Sequence, residues 1–134
     1  MIVDASVVLR WFLNEPGAAE VASLFDQSKL LAPALILAEV GNGLWSAARR
    51  ERIDQETART YLQKLPRLFA ELRPIEALYA DAFELSRELD HPIYDCFYLA
   101  LAAGERAPLL TVDLRLQAKV AATRWQNLVS VLTP

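Results

Sequence analysis

The chain has 134 residues, of which 54% are hydrophobic and 23% are charged, and its formal net charge is −3. This balance is typical of one globular domain with a sizeable core, and it excludes an intrinsically disordered chain. The acidic net charge also excludes a uniformly basic nucleic-acid-binding surface, although most basic residues are arginines, which suit phosphate contacts.

Neither a membrane span nor a secretory signal is expected. No apolar run is long enough to cross a bilayer, and the first apolar stretch lacks a cleavage-type ending. Cys96 is the one cysteine, so an intramolecular disulfide is excluded. We interpret Cys96 as a small buried apolar group in a protein of the reducing cytoplasm.

Strands and helices alternate in the first half of the chain. Ile2 and Val3 predict a short buried strand that ends at Asp4. Ser6 suits the N-cap of the helix that follows, and Pro33 suits the first turn of a long helix. The elements predicted here are the N-terminal strand, helices at 7–13 and 18–27, a strand at 29–32, a helix at 33–50 and a helix capped by Asp54.

The second half continues the alternation. Pro74 places a weak strand at the edge of the sheet, because proline cannot donate a sheet hydrogen bond. A helix that is apolar nearly all round is typical of the middle of a domain, and Gly104 is expected just after its end. The elements predicted here are a strand at 72–75, helices at 76–89 and 93–103, a strand at 109–112, a helix at 114–122 and a strand at 128–132.

This order of elements predicts an α/β fold. Strands that alternate with helices form a parallel sheet with right-handed crossovers, and helices then cover both faces. The sequence contains no repeat, linker or low-complexity tract. We therefore predict a single domain over residues 1–134, a three-layer α/β/α sandwich around a five-stranded parallel sheet.

Four acidic residues lie in apolar surroundings. Asp4 and Asp113 end predicted strands, while Glu39 and Asp95 lie in predicted helices. A lone buried carboxylate costs several kcal/mol unless it is paired or bound to a metal. Each acid has a simpler explanation: Asp4 or Asp113 could cap a helix, Asp95 could favour a helix dipole, and Glu39 could face solvent. The four acids together, without matching buried lysines or arginines, favour a metal site.

The residue types indicate the chemistry of that site. Carboxylate oxygens suit Mg²⁺ or Mn²⁺ better than zinc, and carboxylate-bound metals hydrolyse phosphodiesters by activating water and steadying the leaving oxygen. Ser6, Asn42 and Thr111 lie at offsets that place them beside Asp4, Glu39 and Asp113, although each could be a cap, a solvated amide or a strand residue. The one histidine, His91, lies in a predicted turn, and we assign it no catalytic or ligand role.

Four short motifs occur in a characteristic order: IVDAS at 2–6, EVGN at 39–42, YDCFYLALA at 94–102 and LTVD at 110–113. In order, spacing and total length they resemble the PIN-domain family, and most closely the VapC-like ribonuclease toxins of bacterial toxin–antitoxin pairs. The resemblance covers essentially the whole chain. It implies the strand order 3-2-1-4-5, which agrees with the edge position of the proline-bearing strand.

The resemblance also implies a Mg²⁺- or Mn²⁺-dependent endoribonuclease, a homodimer, and an antitoxin whose tail fills a groove near the acids. Some relatives carry a further carboxylate where this chain has Arg115, which argues against a full second metal site; Arg115 could instead meet an RNA phosphate. The alternatives are an RNA-processing nuclease without an antitoxin and a non-catalytic binding module. The implied acidic, metal-binding set is Asp4, Glu39, Asp95 and Asp113, with Ser6, Asn42 and Thr111 as supporting polar residues.

Overall fold

The computed structural model describes residues 1–132, which form one five-stranded sheet flanked by helices. All neighbouring strands are parallel, and their order is β3-β2-β1-β4-β5. The predicted topology and the edge position of the third strand are therefore confirmed. The strands are β1 (Ile2–Val3), β2 (Leu31–Pro33), β3 (Glu71–Arg73), β4 (Leu109–Thr111) and β5 (Val129–Val131).

Seven α-helices connect and cover the strands in the described part of the chain. The most buried is the sixth, in which the seven consecutive residues 96–102 are all buried. It packs on β1, β2 and β4, and the fifth helix packs on it in turn. The helices are α1 (Ala5–Phe12), α2 (Ala18–Gln27), α3 (Leu35–Arg49), α4 (Gln55–Lys64), α5 (Tyr79–Leu89), α6 (Ile93–Glu105) and α7 (Leu114–Val120).

The first helix begins earlier than predicted, because Asp4 and not Ser6 is its N-cap. Asp4 has an extended backbone, and its carboxylate accepts a hydrogen bond from the Val7 N–H at 3.2 Å. The Ser6 hydroxyl instead donates to the Asp4 carboxylate. The prediction for Ser6 was wrong because two cap-forming residues lie two positions apart, and Asp4, which directly follows β1, has the extended backbone of an N-cap.

Two other boundary residues were also placed wrongly. Pro33 is the last residue of β2, paired in register with Arg73, and α3 begins only at Leu35. Gly104 lies inside α6, and Arg106 ends this helix with a left-handed backbone at φ 53°. The Ala107 N–H bonds to the Ala102 carbonyl at 3.1 Å, which closes the last turn without a glycine.

Within residues 1–132, every helix is too short or too polar to cross a membrane.

Candidate active site

Asp4 stands at the end of the central strand and is only 9% exposed. Its Oδ1 accepts hydrogen bonds from the Ser6 hydroxyl and, at 3.2 Å, from the Val7 N–H. Its Oδ2 accepts a hydrogen bond from the hydroxyl of Thr111. Strands β1 and β4 are neighbours in which Val3 pairs with Leu110, so the next residues of the two strands meet at the same edge of the sheet.

The two hydroxyl groups also tie the ends of these strands together. Ser6 Oγ accepts a hydrogen bond from the Val112 N–H at 3.3 Å, and Thr111 Oγ1 accepts one from the Asp113 N–H at 3.0 Å. Each hydroxyl therefore donates to Asp4 and accepts from the backbone after β4. The predicted supporting residues Ser6 and Thr111 both act on Asp4, and Thr111 does so rather than on the side chain of Asp113.

Glu39 and Asp95 reach this region from two helices. Glu39 is half-buried on α3, and its Oε1 accepts a hydrogen bond from the Tyr98 hydroxyl at 2.5 Å. Asp95 lies in the first turn of α6, and its Oδ2 is 2.6 Å from His91 Nε2. The sequence had suggested that Glu39 could face solvent, and the bond to a buried tyrosine contradicts this.

The electrostatics show that Asp4, Glu39 and Asp95 are close enough to repel one another. Burial raises the pKa of Asp4, the charge of Asp95 adds to the increase, and the three hydrogen bonds that Asp4 accepts oppose it. Burial likewise raises the pKa of Glu39, with the Tyr98 hydrogen bond opposing and the charges of Asp95 and Asp4 adding. The acids thus concentrate negative charge in a partly buried place.

The fourth predicted acid, Asp113, has a different environment. It is the N-cap of α7, and its Oδ1 accepts a hydrogen bond from the Arg115 N–H at 2.8 Å. The same oxygen lies 3.5 Å from the Nε atom of Arg115, whose side chain is 91% exposed. The simpler explanation that Asp113 caps a helix is therefore confirmed, and Asp113 has the guanidinium of Arg115 beside it.

The donor set fits a hard divalent cation, because carboxylate and hydroxyl oxygens are the ligands that Mg²⁺ and Mn²⁺ prefer. Among residues 1–132, however, no three Asp, Glu, His or Cys side chains are already arranged around one ion position. The burial and mutual repulsion of Asp4, Glu39 and Asp95 are what a bound cation would relieve. The residues are suitable in type, and the electrostatic coupling of Asp4, Glu39 and Asp95 places them in one region.

A groove of about 530 Å³ opens beside the acids, between α1 and α3. Ser6 and Glu39 lie on its acidic side, and the exposed Asn42 and Tyr94 also line it. The remaining lining residues are small or apolar: Ala5, Leu9, Leu35, Ala38 and Gly43. The structure therefore places Asn42 beside Glu39, as the sequence offset predicted, with direct access from solvent.

Two residues at this site were missed from the sequence. The apolar pattern of the helix predicts only packing for Tyr98, and the predicted turn at His91 indicates no role for that residue. For Tyr98 the signal was a hydroxyl in an otherwise apolar helix, since a buried phenol needs a hydrogen-bond partner. For His91 the signal was its position four residues before Asp95, just ahead of the first helical residue, Ile93.

Known proteins share both the sequence pattern and the fold. The PIN domain family model matches residues 1–122. VapC ribonuclease Mb0985 of Mycobacterium bovis is 34% identical over 116 residues, which cover 87% of each chain. The crystal structure of PAE2754 from Pyrobaculum aerophilum has 25% identity and a TM-score of 0.68, over 91% of this chain and 80% of that one.

A toxin–antitoxin complex from Klebsiella pneumoniae has the same fold, with a TM-score of 0.63 at 19% identity, over 99% of this chain and 96% of that one. The family match spans β1 to the end of α7, and it therefore contains all four acids and the strand order that brings Asp4 beside Thr111. With most of its length matched by the family model and by a relative above 30% identity, the chain belongs to the PIN-domain family.

Proposed function

We propose that this protein is a metal-dependent endoribonuclease that acts as the toxin of a toxin–antitoxin pair. The observation that supports the proposal best is the buried carboxylate of Asp4, which is fixed by three hydrogen bonds and faces two further acids without a lysine or arginine beside it in residues 1–132. A bound cation would offset the burial that raises the pKa of Asp4. The proposed ligands of Mg²⁺ or Mn²⁺ are Asp4, Glu39, Asp95 and Asp113.

Each residue of the proposed site has a role that follows from its position. Ser6 and Thr111 fix both oxygens of Asp4, and Asn42 offers its amide to a phosphate or ribose oxygen of RNA in the groove. A bound divalent metal supplies Lewis acidity toward water and the scissile phosphate. The exposed guanidinium of Arg115 is proposed to meet a neighbouring phosphate, since arginine binds phosphate oxygens in a fork.

The proposed activity is tested by replacing Asp4 with an isosteric amide. We expect Asp4→Asn to abolish metal-dependent RNA cleavage while the fold is retained, because the change removes charge but no packing group. Asp54→Asn is a matched control, since Asp54 also caps a helix through its carboxylate, at 2.6 Å from the Thr57 N–H, but is exposed and belongs to α4. Asp95→Asn should behave as Asp4→Asn does.

Cleavage is measured on a mixture of cellular RNAs with Mg²⁺ or Mn²⁺, and the same reaction is repeated in EDTA. The wild type and Asp54→Asn should cleave only with the metal, and mapping of the cleaved ends identifies the RNA target. Full activity of Asp4→Asn, or full activity of the wild type in chelator, would refute the proposed site.

The partner is proposed to be an antitoxin protein whose tail occupies the groove beside the acids, and the assembly to be a homodimer in the cytoplasm. The resemblance to VapC ribonucleases supports this proposal. A small gene directly upstream, whose product co-purifies with this chain and inhibits cleavage, is the expected finding. Active enzyme without such a neighbour would indicate an RNA-processing nuclease instead.

A further inference from the structure

Two hydrogen-bond donors hold Glu39 and Asp95 by one carboxylate oxygen each. We propose, on the basis of the function above, that Tyr98 and His91 are positioning residues that turn these acids toward Asp4. The bonded oxygens are Glu39 Oε1 and Asp95 Oδ2. The other oxygen of each acid accepts no hydrogen bond from residues 1–132, and it is the one that would meet the divalent cation.

Tyr98 is suited to this role by its burial. The side chain is 2% exposed on the most buried helix, and its hydroxyl reaches an acid on α3 that is 59 residues away in sequence. A buried phenol hydroxyl needs a partner, since an unsatisfied one is costly. Burial and the nearby charge of Glu39 raise the pKa of Tyr98, so its hydroxyl remains a proton donor.

Glu39 needs such a donor to stay at the site. Its long side chain has several rotatable bonds, and the charges of Asp95 and Asp4 repel it. Because Glu39 is only half-buried, rotation toward solvent would relieve this repulsion and remove the carboxylate from the cation position. The hydrogen bond from Tyr98 opposes that rotation.

His91 performs the same function for Asp95 from a fixed loop. Its backbone N–H donates to the Ser86 carbonyl at 3.1 Å, and its own carbonyl accepts from the Ser86 hydroxyl at 2.5 Å. The His91 side chain is 16% exposed and that of Asp95 is 35% exposed. These two hydrogen bonds hold the loop that carries the imidazole. The imidazole in turn fixes Asp95, whose side chain could otherwise rotate toward solvent.

Neither donor supplies the permanent charge that would compensate these acids. A permanent positive charge does compensate acids at another surface, where Arg73 pairs with both Glu71 and Glu105. At the active site the donors are a phenol and an imidazole, so Glu39 and Asp95 are oriented without being paired with a lysine or an arginine. This combination suits residues that must still bind a cation, because hydrogen bonds to ligating groups fix their direction.

The proposal is tested by measuring Mn²⁺ affinity of the metal-free protein, with the free ion detected by electron paramagnetic resonance. Tyr98→Phe removes one oxygen and leaves the ring packing intact. We expect Tyr98→Phe and His91→Leu each to weaken Mn²⁺ binding by about tenfold or more, as changes next to metal ligands usually do. His91→Gln, which keeps a donor near Nε2, should restore most of the affinity.

The matched control is Tyr61→Phe, since Tyr61 stacks on Phe12 with ring centroids 4.6 Å apart and belongs to α4 rather than to the site. It should bind Mn²⁺ as the wild type does. Tyr98→Phe should also have no further effect when Glu39 is already replaced by Gln. RNA cleavage by the two positioning variants should recover as the Mn²⁺ concentration is raised, which a change in RNA binding would not produce.

The failures of the two proposals can be distinguished. Wild-type Mn²⁺ affinity in Tyr98→Phe and His91→Leu, with RNA cleavage by the wild type intact, would refute the positioning role and leave the nuclease standing. A wild type that neither binds Mn²⁺ nor cleaves RNA would refute the metal site and the positioning role together. If Tyr98→Phe weakened Mn²⁺ binding equally when Glu39 is already replaced by Gln, the effect would not act through Glu39, and this result would also count against the proposal.

Discussion

Gly43 lies where α3 packs against Leu9 of α1, and its replacement by alanine tests how the groove is built. A Cβ at this position would lie 2.4 Å from Leu9 Cδ1, 2.8 Å from Leu9 Cδ2 and 3.1 Å from Leu9 Cγ. Rotation about the Leu9 Cβ–Cγ bond can move the two methyl carbons, but it leaves Cγ at a tight 3.1 Å. Leu9 must therefore reorient its methyl groups and also shift Cγ by a few tenths of an ångström between two packed helices.

The expected magnitude follows from two opposing effects. Alanine in the interior of a helix is more stable than glycine by about 0.5–1 kcal/mol. Overpacking of a close contact costs about 1–3 kcal/mol. We therefore expect Gly43→Ala to lower the free energy of unfolding by about 1 kcal/mol, which corresponds to a fall in the melting temperature of roughly 3–5 °C for a chain of this size.

The chain offers a matched control for this substitution. Gly104 is also inside a helix, and a Cβ there would have nothing within 4 Å. Gly104→Ala should raise the melting temperature, since only the helix preference changes. Thermal unfolding followed by circular dichroism measures both variants under the same conditions.

A functional difference should accompany the difference in stability. Leu9 and Gly43 line the groove next to Ser6 and Glu39, so a displaced Leu9 obstructs the proposed path of RNA. RNA cleavage should fall in Gly43→Ala and remain unchanged in Gly104→Ala. If Gly43→Ala were as stabilising as Gly104→Ala, the reasoning from the close approach of the helices would be wrong.

Three further predictions concern charge and reactivity. In EDTA at neutral pH, Asp4→Asn should melt at a higher temperature than the wild type, because a raised carboxyl pKa means that the native state disfavours the ionised form. Glu88 accepts hydrogen bonds from Trp125 and Arg124, which lower its pKa, so Glu88→Gln should reduce the melting temperature at pH 7. The difference in melting temperature should disappear as the pH falls through the lowered pKa of Glu88, since the wild-type side chain is then protonated and as uncharged as glutamine. Burial raises the pKa of the Cys96 thiol to about 11, so iodoacetamide should label it slowly in native protein at pH 8 and rapidly in urea.

Each of these predictions has an outcome that contradicts it. A lower melting temperature of Asp4→Asn in EDTA would mean that its hydrogen bonds outweigh the cost of the buried charge. A difference between Glu88→Gln and wild type that stays constant with pH would exclude the ionised form as its source. Rapid labelling of native Cys96 would show that solvent reaches the thiol.

Much of the fold can be predicted from local sequence patterns by physical reasoning. The apolar run of α6 predicted its burial, and the edge position predicted for the third strand is confirmed. Pro74, which was expected inside that strand, lies directly after its last residue, Arg73, and so follows the strand instead of occupying it. The boundaries set by Pro33 and Gly104 were also wrong. Either residue is compatible with more than one position, and the hydrogen bonds of the surrounding chain decided between them.

The candidate active site, like the fold, could be predicted from the sequence only in part. The four acids and their supporting residues were predicted from residue type, spacing and family resemblance, and Asp4, Glu39 and Asp95 interact electrostatically in the structure. The structure shows that Asp113 caps α7, and its role as a metal ligand remains a proposal, since Asp4 also caps a helix. The roles of Tyr98 and His91 depend on which acid each side chain reaches, and Glu39 is 59 residues from its donor.

By itself, the sequence determined the α/β class, the family and the identity of the acidic residues, because these depend on residue type and on separations along the chain. Only the tertiary structure decided that Asp4 caps α1 while Thr111 holds its second oxygen, and that Tyr98 orients Glu39. Such contacts form between segments that the sheet and α6 bring together. Their energies depend on distance and burial, which no local pattern specifies.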